Sequence, residues 1–353
     1  MVTSARAPVA LGLLATLLAA CAPELDARAS RVEATRVLAV RSEPAEAAPG
    51  GAVSYRALVA DPSGTLASAA IDWAFCTLPR PVAEANDVAI ACFRRSADWI
   101  VPIGVGEGAS GKLPLNGCRQ FGPDVPEGKP GEPAGRPTDP DATGGFYQPV
   151  RLILGDSDAD YVLALGQTRL VCGLPGATRE VLEDFRARYR TNENPTLASV
   201  EVVHGGSTDA LTGSDASAPT RLAPGERVLL RATWPTCPVT ATCGDAVCSA
   251  DESAASCADD CTTPHGCEGA ESYVAYDVAT RSVGPRREAM RVSWLSSAGA
   301  FDDDRSGRAG DDLATSVEVA FTAPDAPGRV PVWVVLRDER GGVDARAFAI
   351  EVR

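Results

Sequence analysis

The stretch SVEVAFTAPDAPGRVPVWVVL, residues 316–336, decides the fold. Val317, Val319 and Phe321 alternate with polar or small residues, Ala323 and Pro324 stop the run, and Val330, Val332, Val334 and Leu336 begin the alternation again. A period of two places successive side chains on opposite faces of a strand and leaves no helical stripe. Arg340, Gly341 and Gly342 then turn the chain, and Phe348, Ile350 and Val352 alternate once more. Three strands joined by short turns form an antiparallel meander, and turn signals at intervals of about ten residues predict a two-sheet sandwich.

Working outward, the same pattern occurs twice. Ala48, Pro49, Gly50, Val53, Arg56 and Ala57 recur 175 residues later as Ala223, Pro224, Gly225, Val228, Arg231 and Ala232. In both copies Pro and Gly set a turn that feeds a strand. A short strand precedes each copy, at residues 37–40 and 198–203, and an apolar strand with one tryptophan follows each, at 71–76 with Trp73 and 290–295 with Trp294. The sequence therefore predicts two β domains, at 34–172 and 196–353. Between them, in 173–195, Val181, Leu182, Phe185 and Tyr189 fall at helical spacing behind a Thr178 cap, and Pro195 forbids continuation. Half of the twenty-four residues from 122 to 145 are Pro or Gly, which predicts a disordered loop inside the first domain, with Cys118 and Cys92 pinning its base.

The pattern resembles bacterial immunoglobulin-like domains, including the Thr322, Ala323, Pro324, Pro327, Gly328 stretch before the penultimate strand. The resemblance implies an all-β fold class: two tandem immunoglobulin-like antiparallel sandwiches, a short connector helix, and a small disulfide-rich insertion, 237–267, in the second. An unrelated β-barrel is the competing fold.

The N-terminus supplies an address. Arg6 is the single charge among the first twenty residues, and the apolar run from Val9 to Ala20 ends in small side chains. Such a run is a secretory signal peptide, 1–20, and is too short to span a bilayer. Leu18, Ala19, Ala20 and Cys21 resemble the bacterial lipobox. The resemblance implies that Cys21 is the lipidation site, that residues 21–33 form a lipidated tether, and that the membrane is a partner through this anchor. Ala22 rather than Asp after the cysteine favours the outer membrane by the usual Gram-negative sorting rule.

Eleven cysteines leave one over, and Cys21 accounts for it. The other ten fall into two even groups: Cys76, Cys92, Cys118 and Cys172, then Cys237, Cys243, Cys248, Cys257, Cys261 and Cys267. In an exported chain these are expected to form two and three disulfides within their groups, with 3 and 15 connectivities open.

Charge and composition exclude several functions. A net charge of −14 over 353 residues repels phosphate backbones, so nucleic acid is not an expected partner. Two histidines leave little for histidine-dependent chemistry. Cys243, Gly244, Asp245, Cys248, Glu252, Cys257, Asp260 and Cys261 resemble a cysteine-rich motif of exported myxobacterial proteins, with Ala246 and Asp251 replacing two of its glycines. A stapled insertion without ligand is the plain reading, because about thirty residues cannot build a core without crosslinks. Two metal readings compete with it. Asp245, Asp251, Glu252, Asp259 and Asp260 offer oxygens to calcium, and Cys257, Cys261, His265 and Cys267 have compact spacing for zinc.

Asp302, Asp303, Asp304, Asp311 and Asp312, between predicted strands, form a second candidate calcium loop, against the plainer reading of a solvated acidic turn. Asp156, Asp158 and Asp160 imitate the start of an EF-hand, but Tyr161 and Gln167 stand where glycine and glutamate belong. His204, Ser207 and Asp209 are the one local cluster with base, nucleophile and acid, and they sit in a loop-like run. No cofactor is expected unless calcium binds one of these acidic loops. The expectation is a non-catalytic, lipid-anchored binding, adhesion or scaffolding module of the cell envelope with an unidentified protein or glycan partner. Its alternative is an envelope hydrolase acting on glycan or peptide, for which no chain length remains to build a catalytic domain. Taken whole, the chain resembles uncharacterised myxobacterial lipoproteins.

Overall fold

The computed structural model describes residues 29–67, 69–81, 84, 88–124, 136, 141–157, 160–204, 207–214, 219–238, 243–244, 248–249, 252, 254–261 and 266–353. Residues 1–20, expected as a signal peptide, Cys21 and most of the 122–145 segment lie outside them.

The first sandwich holds β1 (Arg36–Glu43), β2 (Glu46–Ala47), β3 (Ala52–Asp61), β4 (Gly64–Thr65), β5 (Ile71–Cys76), β6 (Ile100–Gly106), β7 (Gly108–Lys112), β8 (Tyr147–Ser157) and β9 (Asp160–Leu170), with the one-turn helix α1 (Gly117–Gln120). One sheet runs β1-β3-β4 with β7 also on β3; the other runs β2-β9-β8-β5-β6. The connector helix α2 (Arg179–Arg188) follows. The second sandwich contains β10 (Ser199–His204), β11 (Ser207–Ala210), β12 (Thr220–Leu222), β13 (Arg227–Thr233), the short helix α3 (Ala258–Cys261), and the hairpin β14 (Ser272–Asp277) and β15 (Ser282–Arg287). It is completed by β16 (Met290–Ser296), β17 (Ala300–Phe301), β18 (Arg305–Arg308), β19 (Ser316–Thr322), β20 (Gly328–Asp338) and β21 (Val343–Val352). Its sheets run β11-β10-β13-β19-β17 and β12-β21-β20-β16-β18.

The sequence repeat has a structural meaning. In each sandwich a short edge strand, β2 or β12, pairs parallel with the last strand, β9 or β21. The repeated Ala-Pro-Gly turn then carries the chain into the opposite sheet. Gly51 donates to the Ala48 carbonyl at 2.9 Å and Glu226 to that of Ala223 at 3.0 Å. Gly50 and Gly225 hold φ of 80° and 68°, the left-handed position that a type II turn reserves for glycine after proline. Trp73 and Trp294 occupy equivalent central strands. Both are fully buried, and each indole donates across to a neighbouring strand or its turn, to the Gly106 carbonyl at 3.0 Å and the Ser306 hydroxyl at 2.8 Å.

Helix α2 forms where spacing predicted it. The Thr178 hydroxyl accepts from the Val181 amide, a side-chain cap on an orphan N–H. Phe185 and Tyr189 stack one turn apart with ring centroids at 4.5 Å.

Strand β20 departs from strict alternation. Val330, Val332, Val334 and Leu336 enter the core of the second sandwich, but Trp333 and Val335, of opposite parity, are equally buried. They join Leu295, Val343, Val32, Leu38, Ala39 and Ala60 in a third apolar cluster. A register shift between Val37 and Ala39 allows the adjacent Leu38 and Ala39 both to face this cluster, while Val37 and Val40 pack on the core of the first sandwich. The two sandwiches therefore stack sheet on sheet in four layers. Polar clasps flank the apolar contact: Trp333 Nε1 donates to Thr65 Oγ1 at 3.0 Å, Arg337 to the Leu38 carbonyl at 3.0 Å, and Arg41 to the Val343 carbonyl at 2.9 Å.

Replacing Trp333 by Ala empties the middle of this interface. A loss of about 3–5 kcal/mol in urea denaturation followed by circular dichroism is expected for a buried Trp→Ala change. A loss below about 1 kcal/mol would mean that Trp333 behaves as a surface residue.

Candidate functional site

The segment after α2, residues 189–197, runs between the sandwiches and gathers charge from both. Glu46 on β2 accepts from the Tyr189 hydroxyl at 2.6 Å and from the Asn192 amide at 2.8 Å, with Arg169 Nε at 3.6 Å. Arg169 also donates to Thr143 Oγ1 at 2.5 Å and Tyr147 Oη at 3.0 Å. Asn194 joins the sandwiches directly, donating to the Ser42 carbonyl at 2.7 Å and accepting from the Val343 amide at 2.9 Å.

Arg340 sits at the centre, in the turn between β20 and β21, with no exposed surface. Its Nε donates to Glu288 at 2.7 Å, one amino group pairs with Glu271, the other donates to the Arg190 carbonyl at 3.0 Å, and the plane lies 4.4 Å from the Tyr273 ring centroid. One guanidinium thus binds both ends of the β14–β15 hairpin to the connector. Asp338 beside it accepts from the Gly342 amide at 2.8 Å and the Asn192 side chain at 3.2 Å. Among the described residues it forms no ion pair.

Protonation follows from the burial. Desolvation raises the Asp338 carboxyl to about 6 against the pull of its amide donors. Desolvation, then the nearby Asp338 and Glu339 charges, hold Glu288 well above the carboxylate range. Burial is also the largest influence on the Tyr189 and Tyr147 phenols and raises both. Arg169 loses to desolvation but gains more from the surrounding acids and phenols, and its pKa rises further.

The cysteine-rich insertion is stapled onto this joint. Its bridges are Cys237–Cys267, Cys243–Cys257 and Cys248–Cys261, and those of the first sandwich are Cys76–Cys92 and Cys118–Cys172. Cys118 therefore closes on Cys172 beside the connector, and Cys92 on Cys76, so they do not jointly pin the 122–145 loop. Of that loop, Arg136 is buried and donates to the Arg119 carbonyl at 2.9 Å, meeting orphan carbonyls at the end of α1. Arg190 reaches the insertion, with Nε 2.7 Å from Cys248 Sγ and an amino group donating to the Glu252 carbonyl at 2.7 Å.

The other sequence candidates are placed as follows. Cys257, Cys261 and Cys267 are each spent in a bridge, which leaves no thiolate for zinc, and His265 lies outside the described residues. Among the described residues, one cluster brings three ligand-type atoms together, Cys243, Cys257 and Asp260, and two of those are bridged to each other. Asp260 accepts from the Gly244 amide at 2.7 Å. Glu252 and Asp259 are described, whereas Asp245 and Asp251 are not. Asp302, Asp303 and Asp304 precede β18, and Asp311 and Asp312 follow it, so the five carboxylates do not share a loop: about 13 Å of extended chain separates the two groups. Asp302 pairs with Arg227 at 2.8 Å, and Asp312 with Arg308 at 3.0 Å. The side chains of Asp156, Asp158 and Asp160 lie outside the description. His204 faces Ser207 across the β10–β11 hairpin, and no hydrogen bond among the described residues links either to Asp209.

A surface cleft of about 380 Å³ opens in the first sandwich, with Leu78, Phe121 and Phe146 on its walls and Arg80, Asp141 and Tyr147 at its polar side. That volume is of small-ligand size. Sequence reading marked none of these six, nor any member of the buried joint except Tyr189 and the Arg340 turn.

No protein-family model matches the chain, and no curated protein does. Among solved structures it is similar to dimeric latent PorU from Porphyromonas gingivalis, at 11% identity, covering 91% of this chain and 34% of that one with a TM-score of 0.20. It is also similar to the Yersinia pseudotuberculosis adhesin InvE, at 10% identity, covering 88% and 58% with a TM-score of 0.20. A third similarity is to fibronectin(III)-like modules of Clostridium thermocellum CbhA, at 8% identity, covering 89% and 93% with a TM-score of 0.19. The chain thus spans about a third of PorU and somewhat over half of InvE. Scores of this size leave the class to be stated from the strands themselves: an all-β protein of two tandem immunoglobulin-like sandwiches.

Two outcomes test the joint. Arg340→Ala strands Glu271 without its cation and Glu288 without its hydrogen-bond donor, and should cost about 3–5 kcal/mol in urea denaturation. A carboxyl whose pKa is raised on folding contributes stability that is complete below its unfolded value and lost as pH rises through its folded value. Asp338→Asn, which cannot ionise, should therefore gain stability relative to the parent between about pH 4 and pH 6, from the value of a free carboxyl up to the folded value of about 6. Parallel urea midpoints for both proteins across that range contradict the assignment.

Proposed function

We propose that the chain is a lipid-anchored cell-envelope protein that works by holding or binding a partner, without catalysis. The observation that carries this reading is the sealed joint. Two cationic side chains, Arg169 and Arg340, and the carboxylates of Glu46, Glu271, Glu288 and Asp338 are buried together, where no diffusing substrate meets them. The fold spends its strongest electrostatics on fixing one sandwich against the other, as a module that presents a surface requires. Ten cysteines in five bridges suit an oxidising, extracytoplasmic setting. The lipobox at Cys21 supplies the tether, and the residue after it favours the outer membrane. An unidentified protein or glycan is the partner class, with the first-sandwich cleft as one place for a small part of it to enter.

Cys21→Ser tests the address: the parent should float with outer-membrane lipid in a density gradient, and the variant should leave that fraction. For the activity, the acyl-free chain should co-sediment with isolated envelope glycan or crosslink to an envelope protein, while releasing no product from glycan or peptide substrates. Turnover abolished by one carboxylate substitution would replace the proposal with an envelope hydrolase.

A further inference from the structure

The five disulfides sit in unlike electrostatic settings. In four of them a sulfur faces an oxygen: Cys92 Sγ lies 4.0 Å from the Leu78 carbonyl, Cys118 Sγ 3.5 Å from that of Val171, Cys267 Sγ 3.9 Å from that of Thr236, and Cys257 Sγ 3.3 Å from the Asp260 carboxylate. Among the described residues, Cys248–Cys261 is the bridge whose sulfurs accept from a cation. Arg190 Nε is 2.7 Å from Cys248 Sγ, and one amino nitrogen of the same guanidinium is 3.6 Å from Cys261 Sγ. The guanidinium is held in place, because its other amino group donates to the Ala187 and Tyr189 carbonyls at 3.2 and 3.0 Å and the Arg190 carbonyl is bound by Arg340. Arg190 is 9% exposed, Cys261 7% and Cys248 2%, so water screens the contact little.

A closed disulfide is neutral, so a neighbouring charge matters when the bond opens and one sulfur becomes a thiolate. A cation beside that sulfur lowers the thiol pKa from its ordinary value of about 8.5 and makes it the better leaving group, while a carboxylate does the reverse. Stabilising the reduced form in this way makes the bridge a stronger electron acceptor. Glu252 is the carboxylate whose charge acts on Arg190, yet no ion pair joins the two among the described residues: its side chain accepts from the Ser249 amide at 2.9 Å, and Arg190 meets its carbonyl instead. The guanidinium charge is therefore directed at the sulfurs.

We propose that Cys248–Cys261 is a redox-active bridge, opened reversibly by a dithiol partner, with Arg190 holding the departing Cys248 thiolate. A thiolate of the partner attacks Cys261 Sγ, on the more exposed of the two residues. The new sulfur–sulfur bond forms as the Cys248–Cys261 bond breaks, and the electron pair leaves on Cys248 Sγ, against Arg190 Nε. The partner's second thiol then attacks its own sulfur in the mixed disulfide, releases Cys261 and gives it its proton. Two electrons have passed: the partner ends as a disulfide, Cys261 as a thiol and Cys248 as a thiolate. Cys237–Cys267 still closes the base of the insertion and Thr196 still bonds to Glu268, so the step releases the loop between residues 248 and 261 and leaves the sandwiches joined. This chemistry goes beyond the binding role proposed above and does not depend on the lipid anchor.

The test equilibrates the full chain at neutral pH, without denaturant, against graded ratios of reduced to oxidised dithiothreitol, then quenches in acid, alkylates, and reads each cysteine by peptide mass spectrometry. Cys248 and Cys261 should be reduced at a several-fold lower ratio than the other four pairs. Arg190→Gln should move their midpoint several-fold toward stronger reductant and leave that of Cys237–Cys267 in place, and Arg190→Lys should recover most of the shift. Asp260→Asn should move the Cys243–Cys257 midpoint the other way, toward weaker reductant. Reduction of Cys248–Cys261 together with or after another pair overturns the proposal, as does a midpoint unmoved by Arg190→Gln. A further readout needs no variant to fold: in the partly reduced parent, capture of Cys248 by iodoacetamide should follow a pKa below the free-thiol value of about 8.5, and a pKa at or above that value overturns the role given to Arg190.

Discussion

The Arg340 guanidinium is the interaction on which the arrangement depends. A single cation, fully buried, satisfies Glu271 at the entrance of the hairpin, Glu288 at its exit and the Arg190 carbonyl in the connector. Burying charge is costly, and its compensation requires that every partner be present with good geometry. Among the described residues, the ion pairs of both Glu271 and Glu288 are with Arg340. A planar fork with five donors can serve three directions at once, which an ammonium on a flexible stem does less well. The same logic holds for Arg169, which gathers Glu46, Thr143 and the Tyr147 and Tyr189 phenols on the first-sandwich side. The two arginines meet through the connector: Tyr189 lies against Arg169 and the next carbonyl, that of Arg190, against Arg340.

Electrostatics supplies direction here and apolar burial supplies the energy. Sheets of a lone sandwich keep one face in water, and their strands alternate accordingly. In this chain the two middle sheets share the Trp333, Val335 and Leu38 cluster, so parts of both are buried on both faces. A fully buried Trp, Val or Leu contributes roughly 1.5–3 kcal/mol, several times the worth of an exposed ion pair. The clasps at the rim, such as Arg41 on Val343, then set the angle at which the faces meet.

What could be seen in the sequence follows from this division. Local signals were reliable: the Ala-Pro-Gly turns, the central tryptophans, the Thr178 cap and the period-two runs all report short-range geometry. The four-layer stacking was also written there, in the consecutive Val332, Trp333, Val334, Val335, Leu336, because a strand with apolar residues on both parities needs two covered faces. The hub was not. Glu46, Arg169, Glu271, Glu288 and Arg340 come from five separate segments, and each reads as an ordinary surface charge. The acidic run around β18 illustrates the converse: closeness in sequence suggested a shared ion, but a strand interposed between its halves sends them apart, and Arg227 and Arg308 take two of the carboxylates.

The stapled insertion makes sense as part of the same joint. A knob attached only through its own disulfides would be free to swing, since crosslinks within a small loop restrain its shape but not its position. Cys237–Cys267 closes its base, and Thr196 in the connector bonds to Glu268 just beyond, through the backbone at 2.8 Å and the side chain at 2.6 Å. Glu193 accepts from the Gly266 amide at 2.7 Å, while Arg190 enters between Cys248 and Glu252. Three successive contacts along one face of the 189–197 segment thus fix the knob to the same backbone that spans the sandwiches. A connector that must bind both is denied the conformational freedom of a hinge.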